Sequence, residues 1–365
     1  MNKKTYLMCG PVETPPRVRR AMDLEIYSHR TERYFLLHKS IQEKMMQVFQ
    51  TKNPLLYFSC SGTGAIEAAL QNCFSKGDKV LTIVNGFFGN QMHENALALG
   101  LNSVAIKVPL ERSAGADDIK PYFDEDVKGV LMVQNESTTG VMNDVKGLGE
   151  FLLDKKAISI IDSISGMGAI NLPVDKWNLD VVVSSSQKAF MTPPGISFVS
   201  VSDKAWDRVE HHKSTGFYFD FLRARDYNNN YKMVYTSPIT LMEGLNAALD
   251  MIIEEGIEEV YLRHSNHAKM IIKTVEEMGL SIYPQDKEYA SLSLVCVYAK
   301  GIAKEIVARL AKKNIIVGGG LPPIADDTFR IGTMGYVSTN DINACLLALK
   351  DIVDELREEG FEKDN

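Results

Sequence analysis

Val181-Val182-Val183-Ser184-Ser185-Ser186-Gln187-Lys188-Ala189-Phe190 is the stretch on which the fold turns. Its first half is continuous, apolar and β-branched, the pattern of a strand buried on both faces of a parallel sheet. Lys188 therefore emerges at the strand's carboxyl end, where open α/β sheets hold their ligands. One strand earlier, Ala157-Ile158-Ser159-Ile160-Ile161-Asp162 has the same character and ends in an aspartate. The interval from Asp162 to Lys188 suits one strand–helix–strand unit, so acid and amine stand at one level on successive strand ends. A lone lysine at such an edge is more often a solvated charge. The pair is what makes the edge chemical.

Working outward, strand-like runs recur at 55–59, 79–84, 103–108, 129–134, 157–162, 180–186 and 196–201, with amphipathic segments such as 64–74, 90–99 and 148–155 between them. This alternation predicts a mostly parallel seven-stranded sheet flanked by helices. The rhythm stops near Val201, and an aromatic, poorly periodic stretch over 215–235 reads as an ordered excursion at an active-site or subunit boundary. Helical patterns follow over 237–255 and 257–278. The tail reads as strand (290–297), helix (302–313), strand (315–317), strand (328–332) and helix (340–359), with Ser338 as a candidate N-cap. The expected division is an N-terminal arm (1–20), a large domain (21–255) and a smaller C-terminal α+β domain (256–365).

A chain of 365 residues exceeds the size at which single cores usually stop growing, about 250–300 residues, which favours two domains. The composition, 45% apolar and 24% charged, is that of an ordinary globular protein. A net charge of −7 argues against a nucleic-acid or anionic-membrane binder, so an anionic substrate needs local arginines. Five scattered cysteines without a CxxC pair read as reduced thiols in a cytoplasmic protein. The charged opening and short apolar run that end at Pro11 do not make a signal peptide. No run approaches about 18 apolar residues, so no membrane span is expected. His264 and His267 lack a completing ligand set and read as surface residues; no metal is expected.

Ser59-Cys60-Ser61-Gly62-Thr63-Gly64-Ala65 is a strand, a small-residue turn and a helix start. Free N–H groups there make an anion site, although such turns often serve only close packing. Joined to Asp162 and Lys188 it completes the set a phosphorylated pyridine needs. Pyridoxal phosphate (PLP) would take Lys188 as its Schiff-base amine and Asp162 as the partner of its ring nitrogen. Phe88 in Asn85-Gly86-Phe87-Phe88-Gly89 either stacks on a cofactor ring or is a core phenylalanine under a glycine turn. The polar groups of Gln134-Asn135-Glu136-Ser137-Thr138-Thr139-Gly140 reach a ring or substrate, or are merely solvated. Arg330, inside the apolar strand Phe329-Arg330-Ile331, offers a bidentate fork for a carboxylate or joins a structural ion pair.

Together these residues resemble the class V, fold-type I PLP aminotransferases, most closely the alanine–glyoxylate/serine–pyruvate aminotransferase branch. The resemblance runs from Gly10-Pro11 to the C-terminal helix. It rests on Ser61-Gly62-Thr63-Gly64 with Glu67-Ala68-Ala69, Asn85-Gly86 with Gly89, Glu136-Ser137-Thr138-Thr139-Gly140, Asp162-Ser163 and Ser186-Gln187-Lys188, in this order and at near-equal spacing. It implies that Lys188 and Asp162 are catalytic and that Ser61, Gly62, Thr63 and Gln187 bind the cofactor phosphate. It implies further that Ser137 contacts the ring oxygen, that Phe88 stacks, and that Arg330 binds the substrate carboxylate with Gly10 leaving room. Thr236 would reach the phosphate of a neighbouring subunit, making a homodimer with shared active sites. Two departures stand out: many relatives have tryptophan at Phe88 and a phosphate-binding tyrosine at Met233, where either Tyr231 or Tyr235 substitutes or the contact is absent.

The implied reaction is a ping-pong transfer of an amino group from a small amino acid to a small 2-oxo acid. A cysteine desulfurase or related lyase on the same scaffold needs a mobile cysteine before the substrate arginine, and Gly318-Gly319-Gly320-Leu321-Pro322-Pro323 has none. A non-enzymatic binding protein would not need the lysine–aspartate pair.

Overall fold

The β-branched runs do form the strands, and their alternate residues pack in opposite directions. The computed structural model describes residues 4–212 and 216–360; the opening residues 1–3 and Thr215, at the start of the aromatic excursion, lie outside these. Strands are β1 (Thr5–Leu7), β2 (Leu56–Phe58), β3 (Lys79–Val84), β4 (Asn102–Lys107), β5 (Val127–Val133), β6 (Asn135–Glu136), β7 (Val141–Met142), β8 (Ile158–Asp162), β9 (Val181–Ser185), β10 (Ser197–Val201), β11 (Ser281–Ile282), β12 (Leu294–Tyr298), β13 (Ile315–Gly319) and β14 (Thr328–Gly332). Helices are α1 (Pro16–Met22), α2 (Glu32–Phe49), α3 (Gly62–Cys73), α4 (Phe87–Ala98), α5 (Ala116–Ile119), α6 (Val145–Leu152), α7 (Asp203–His211), α8 (Phe221–Asn228), α9 (Ile239–Glu255), α10 (Ile257–Glu277), α11 (Ala303–Lys312) and α12 (Thr339–Glu358).

Seven strands form one sheet in the order β2-β10-β9-β8-β5-β3-β4. All neighbours are parallel except at β10, which runs antiparallel to β9 and β2. Ile161 and Val182 enter a core shared with α2 and α9, whereas Ile160, Val181 and Val183 enter one shared with α3, α7 and α8. A strand buried on both faces must be apolar at every position, which explains the unbroken run at 181–183. The expected α/β architecture is thus the observed one. A second sheet, β1-β13-β14-β12-β11, has its own core around Leu7, Val295, Phe329, Ile331 and Leu349.

Helices α3, α4 and α6 start two or three residues earlier than the periodicity indicated. Ser61 caps α3, its Oγ accepting Gly64 N, so both turn glycines belong to the first turn. Ser338 caps α12 as expected, in a capping box with Asp341. The aromatic stretch is ordered in its described part: Tyr235 stacks on Tyr218 at 4.7 Å and donates to the carbonyl of Phe217. β1 comes from the segment read as an arm, yet it pairs in parallel with β13, Thr5 opposite Ile315.

One expectation is corrected. His264 and His267 are buried, not surface residues, because the face of α10 that carries them packs against neighbouring segments. His264 Nδ1 faces the carbonyl of Ala169 and Nε2 accepts from Gly335 N. Burial pushes its pKa down to about 3, and that of His38 to about 4. A histidine depressed in the folded state stabilises above its unfolded pKa and loses that contribution as pH falls toward the folded one. We therefore expect stability to drop between about pH 6.5 and pH 4, with His264 contributing about 3 kcal/mol of the drop. Urea unfolding across this range should show a shallower acid limb in His264→Gln; an unchanged limb would assign the acid sensitivity elsewhere.

Candidate active site

The parallel topology brings the carboxyl ends of β5, β8 and β9 side by side, with Asp162 in register with Val133 on one side and Val183 on the other. A cavity of about 210 Å³ opens there. Its walls include Gly10, Ser61, Gly62, Thr63, Phe88, Ser137, Asp162, Gln187 and Lys188, so nine positions singled out from the sequence meet in one place. A larger cleft of about 1070 Å³ lies between α5, α6 and residues 285–289; within it Arg112 pairs with Asp118 and Lys120 with Asp117.

Lys188 is partly buried and its Nζ donates to the carbonyl of Cys9 at 2.6 Å. Loss of solvent lowers the pKa of this amine, the nearby Arg330 guanidinium pushes the same way, and Cys9 and Asp162 oppose it. Asp162 is 6% exposed. Its Oδ1 accepts from Ile164 N at 2.9 Å, and Oδ2 has no protein donor among the described residues. Burial raises the carboxyl to about 6, helped by the charge of Glu136. Gly10 lies against the lysine: with φ of +107°, a Cβ there would lie 2.3 Å from Lys188 Cδ and 2.6 Å from its Nζ. Its missing side chain makes room for the lysine itself.

Arg330 stands beside the cavity rather than in its wall. Nε donates to the carbonyl of Gly319 at 2.9 Å and Nη1 to that of Ser137 at 3.0 Å. It makes no ion pair among the described residues. Thr236 is exposed and is not part of this chain's cavity; neither are Met233, Tyr231 or Tyr235. The cavity also includes Asn135, from the polar segment after β5, and Gln91 and Ser165, which the sequence did not single out, because isolated polar residues carry no signal that separates a lining position from a solvated one.

The donor set fits PLP. The backbone N–H groups of Gly62 and Thr63, at the start of the twelve-residue helix α3, make no hydrogen bond among the described residues, which leaves them for an anion. Gln187 Oε1 is buried without a partner. A carboxylate with one free oxygen and a desolvated amine share the same small cavity. A family model described as Aminotransferase class-V matches residues 22–344. The chain belongs to the class V aminotransferases.

This class V aminotransferase is 35% identical over 370 residues to an uncharacterized aminotransferase of Methanocaldococcus jannaschii, covering 99% of this chain and 96% of that one. It is 32% identical to the serine–glyoxylate aminotransferase of Arabidopsis thaliana, covering 95% and 89%. Among solved structures, the alanine–glyoxylate aminotransferase of Nostoc sp. superposes with a TM-score of 0.92 at 27% identity, covering 97% of this chain and 96% of that one. The family implies PLP as cofactor, in keeping with the donor set, and an enzyme that transfers nitrogenous groups between an amino acid and a 2-oxo acid. Burial pushes the thiols of Cys296 and Cys345 up to about 12, so neither is a reactive nucleophile.

Proposed function

We propose that this aminotransferase moves the amino group of a small amino acid, alanine or serine, to a small 2-oxo acid, glyoxylate or pyruvate, in two half-reactions of ping-pong type. The observation that carries the reading is the meeting of Lys188 and Asp162 in one cavity at the carboxyl edge of the large sheet. Glyoxylate is named in both characterised relatives above, with serine and alanine as their donors.

In this reading Ser61, Gly62, Thr63 and Gln187 hold the cofactor phosphate, Phe88 and Ser137 orient the ring, and Asp162 keeps the ring nitrogen protonated. Bound PLP supplies an electron sink for charge developing at the substrate Cα. Lys188 Nζ, whose pKa is lowered by burial, removes the α-proton and returns it. Arg330 grips the substrate carboxylate from the small sheet, while the cofactor rests on the large one; the arm (1–20), cofactor domain (21–255) and small domain (256–365) follow this division of labour. We further propose a homodimer with shared active sites, supported by the exposure of Thr236 outside its own chain's cavity. A cytoplasmic location is supported by five free cysteines; no helix among the described residues is long and apolar enough to cross a membrane.

A screen of amino donors against glyoxylate and pyruvate, followed by the absorbance of the pyridoxal and pyridoxamine forms, tests the substrate class. Preference for a large or acidic donor would overturn it. Arg330→Lys tests the carboxylate grip. Lysine retains charge but loses the fork and the bonds to Gly319 and Ser137. With charge-assisted bonds worth about 1.5–3 kcal/mol each, kcat/KM should fall about ten- to a hundred-fold, with PLP affinity little changed. Collapse of PLP affinity with unchanged kcat/KM at saturating cofactor would place the carboxylate site elsewhere.

A further inference from the structure

Glu136 is fully buried in β6, yet no assignment above uses it. Both carboxylate oxygens accept backbone N–H groups, and from two different segments: Oε2 from Gly89 at 2.9 Å and Oε1 from Thr138 at 3.1 Å. Gly89 directly follows Phe88 in the first turn of α4, and Thr138 directly follows Ser137. One side chain thus ties together two turns that both border the cofactor cavity.

The surroundings are shaped for this acid. A Cβ on Gly86 would lie 2.3 Å from both Cγ and Cδ of Glu136, so the glycine leaves the space the side chain fills. Burial raises the pKa of this carboxyl, while the N–H groups of Gly89 and Thr138 act in the opposite direction. A buried ionisable group generally adds no stability over an apolar residue of similar volume. Its retention calls for another role, and the two bonds supply one. From the small sheet the same β6–β7 hairpin is held by Arg330 Nη1 on the carbonyl of Ser137, Ser291 N on that of Gly140, and Asn135 Nδ2 on Ser293 Oγ. Glu136 adds the tie toward α4.

We propose that Glu136 is a positioning residue for the cofactor: its carboxylate clamps the Phe88 turn to the Ser137 turn and so holds the ring-stacking and ring-oxygen contacts in mutual register. The proposal rests on the reading of Phe88 and Ser137 as cofactor contacts. A tertiary clamp of this kind acts before any substrate arrives, so its effect belongs to cofactor binding rather than to the amino donor.

The test loads apo-protein with PLP and measures its dissociation constant and induced circular dichroism, together with the apo-protein's unfolding midpoint. Glu136→Gln keeps the shape but turns an NH2 group toward one of the two N–H donors. It should weaken PLP about tenfold, the loss of one hydrogen bond to a charged group, and reduce the induced dichroism, with the apo midpoint near that of wild type. Gly86→Ala displaces Glu136 from the other side and should give the same changes; it carries the test by itself if Glu136→Gln does not fold. In a Phe88→Ala background the added cost of Glu136→Gln should fall below about twofold, because coupled residues are not additive. A merely structural Glu136 would lower the apo midpoint and leave PLP affinity and dichroism at wild-type values, and that result overturns the proposal. Phe88→Ala binding PLP as wild type does would overturn the stacking reading and the Phe88 arm of the clamp. Unchanged affinity in Glu136→Gln beside a weakened Phe88→Ala would overturn the clamp alone.

Discussion

Lys188→Ala is expected to lower transamination by about 10⁴-fold or more, the upper range for loss of a general base, with loss of covalent attachment on top. The protein should still fold and still bind PLP noncovalently. The reason is local: among the described residues the lysine side chain's one hydrogen bond runs from Nζ to the carbonyl of Cys9, whereas the phosphate site is built by the start of α3. Absorbance of the lysine-linked cofactor and single-turnover rates decide the matter. A variant that keeps both at wild-type values would falsify the assignment of Lys188.

Asp162→Asn should separate rate from stability, moving them in opposite directions. Asparagine can still accept from Ile164 N, but it cannot hold a proton on the ring nitrogen by charge. A loss of about 10²–10³-fold in α-proton abstraction is expected, the size found when one electrostatic stabiliser is removed. Stability runs the other way. The folded carboxyl is raised to about 6, above the unfolded value of about 3.9. Its favourable contribution is therefore complete below the unfolded pKa and is lost as pH rises through 6. At pH 8 the apo-enzyme carries a buried ionised carboxylate, and Asp162→Asn should be more stable by roughly 1–3 kcal/mol, a difference that closes toward pH 4. Equal proton-abstraction rates in the two proteins would make Asp162 structural. An apo variant less stable than wild type at pH 8 would mean that its charge is compensated within the fold.

Lys188 and Asp162 are legible in the amino-acid sequence because their positions depend on local pattern. A run such as Val181-Val182-Val183 is apolar at every position, and that suits only a strand covered on both faces. The residue that follows such a strand must surface at the sheet's edge. Asp162 and Lys188 are therefore placed by strand length and by the helices that parallel strands need between them. The turn at Ser61–Gly64 is legible for the same reason, since small residues and free N–H groups at a helix start are a property of a few consecutive positions. What the pattern could not deliver was anything that depends on which distant segment packs alongside. Gly10 touches Lys188, β1 joins β13, Asn135 bonds Ser293 and His264 lies buried against Ala169 and Gly335. Each of these joins residues far apart in the chain, and the same short motifs would be compatible with other partners. Glu136 shows the difference most clearly. In the sequence it is one acid in a polar turn; the close approach of Gly86 and Gly89 encloses it and gives Oε2 the donor Gly89 N, while Oε1 accepts from Thr138 N in its own turn. The chain's local chemistry determined where an amine, an acid and an anion site would stand on the sheet. The packing of distant segments decided how those groups are oriented, desolvated and held together, because contact and burial belong to the folded whole and not to any one stretch of it.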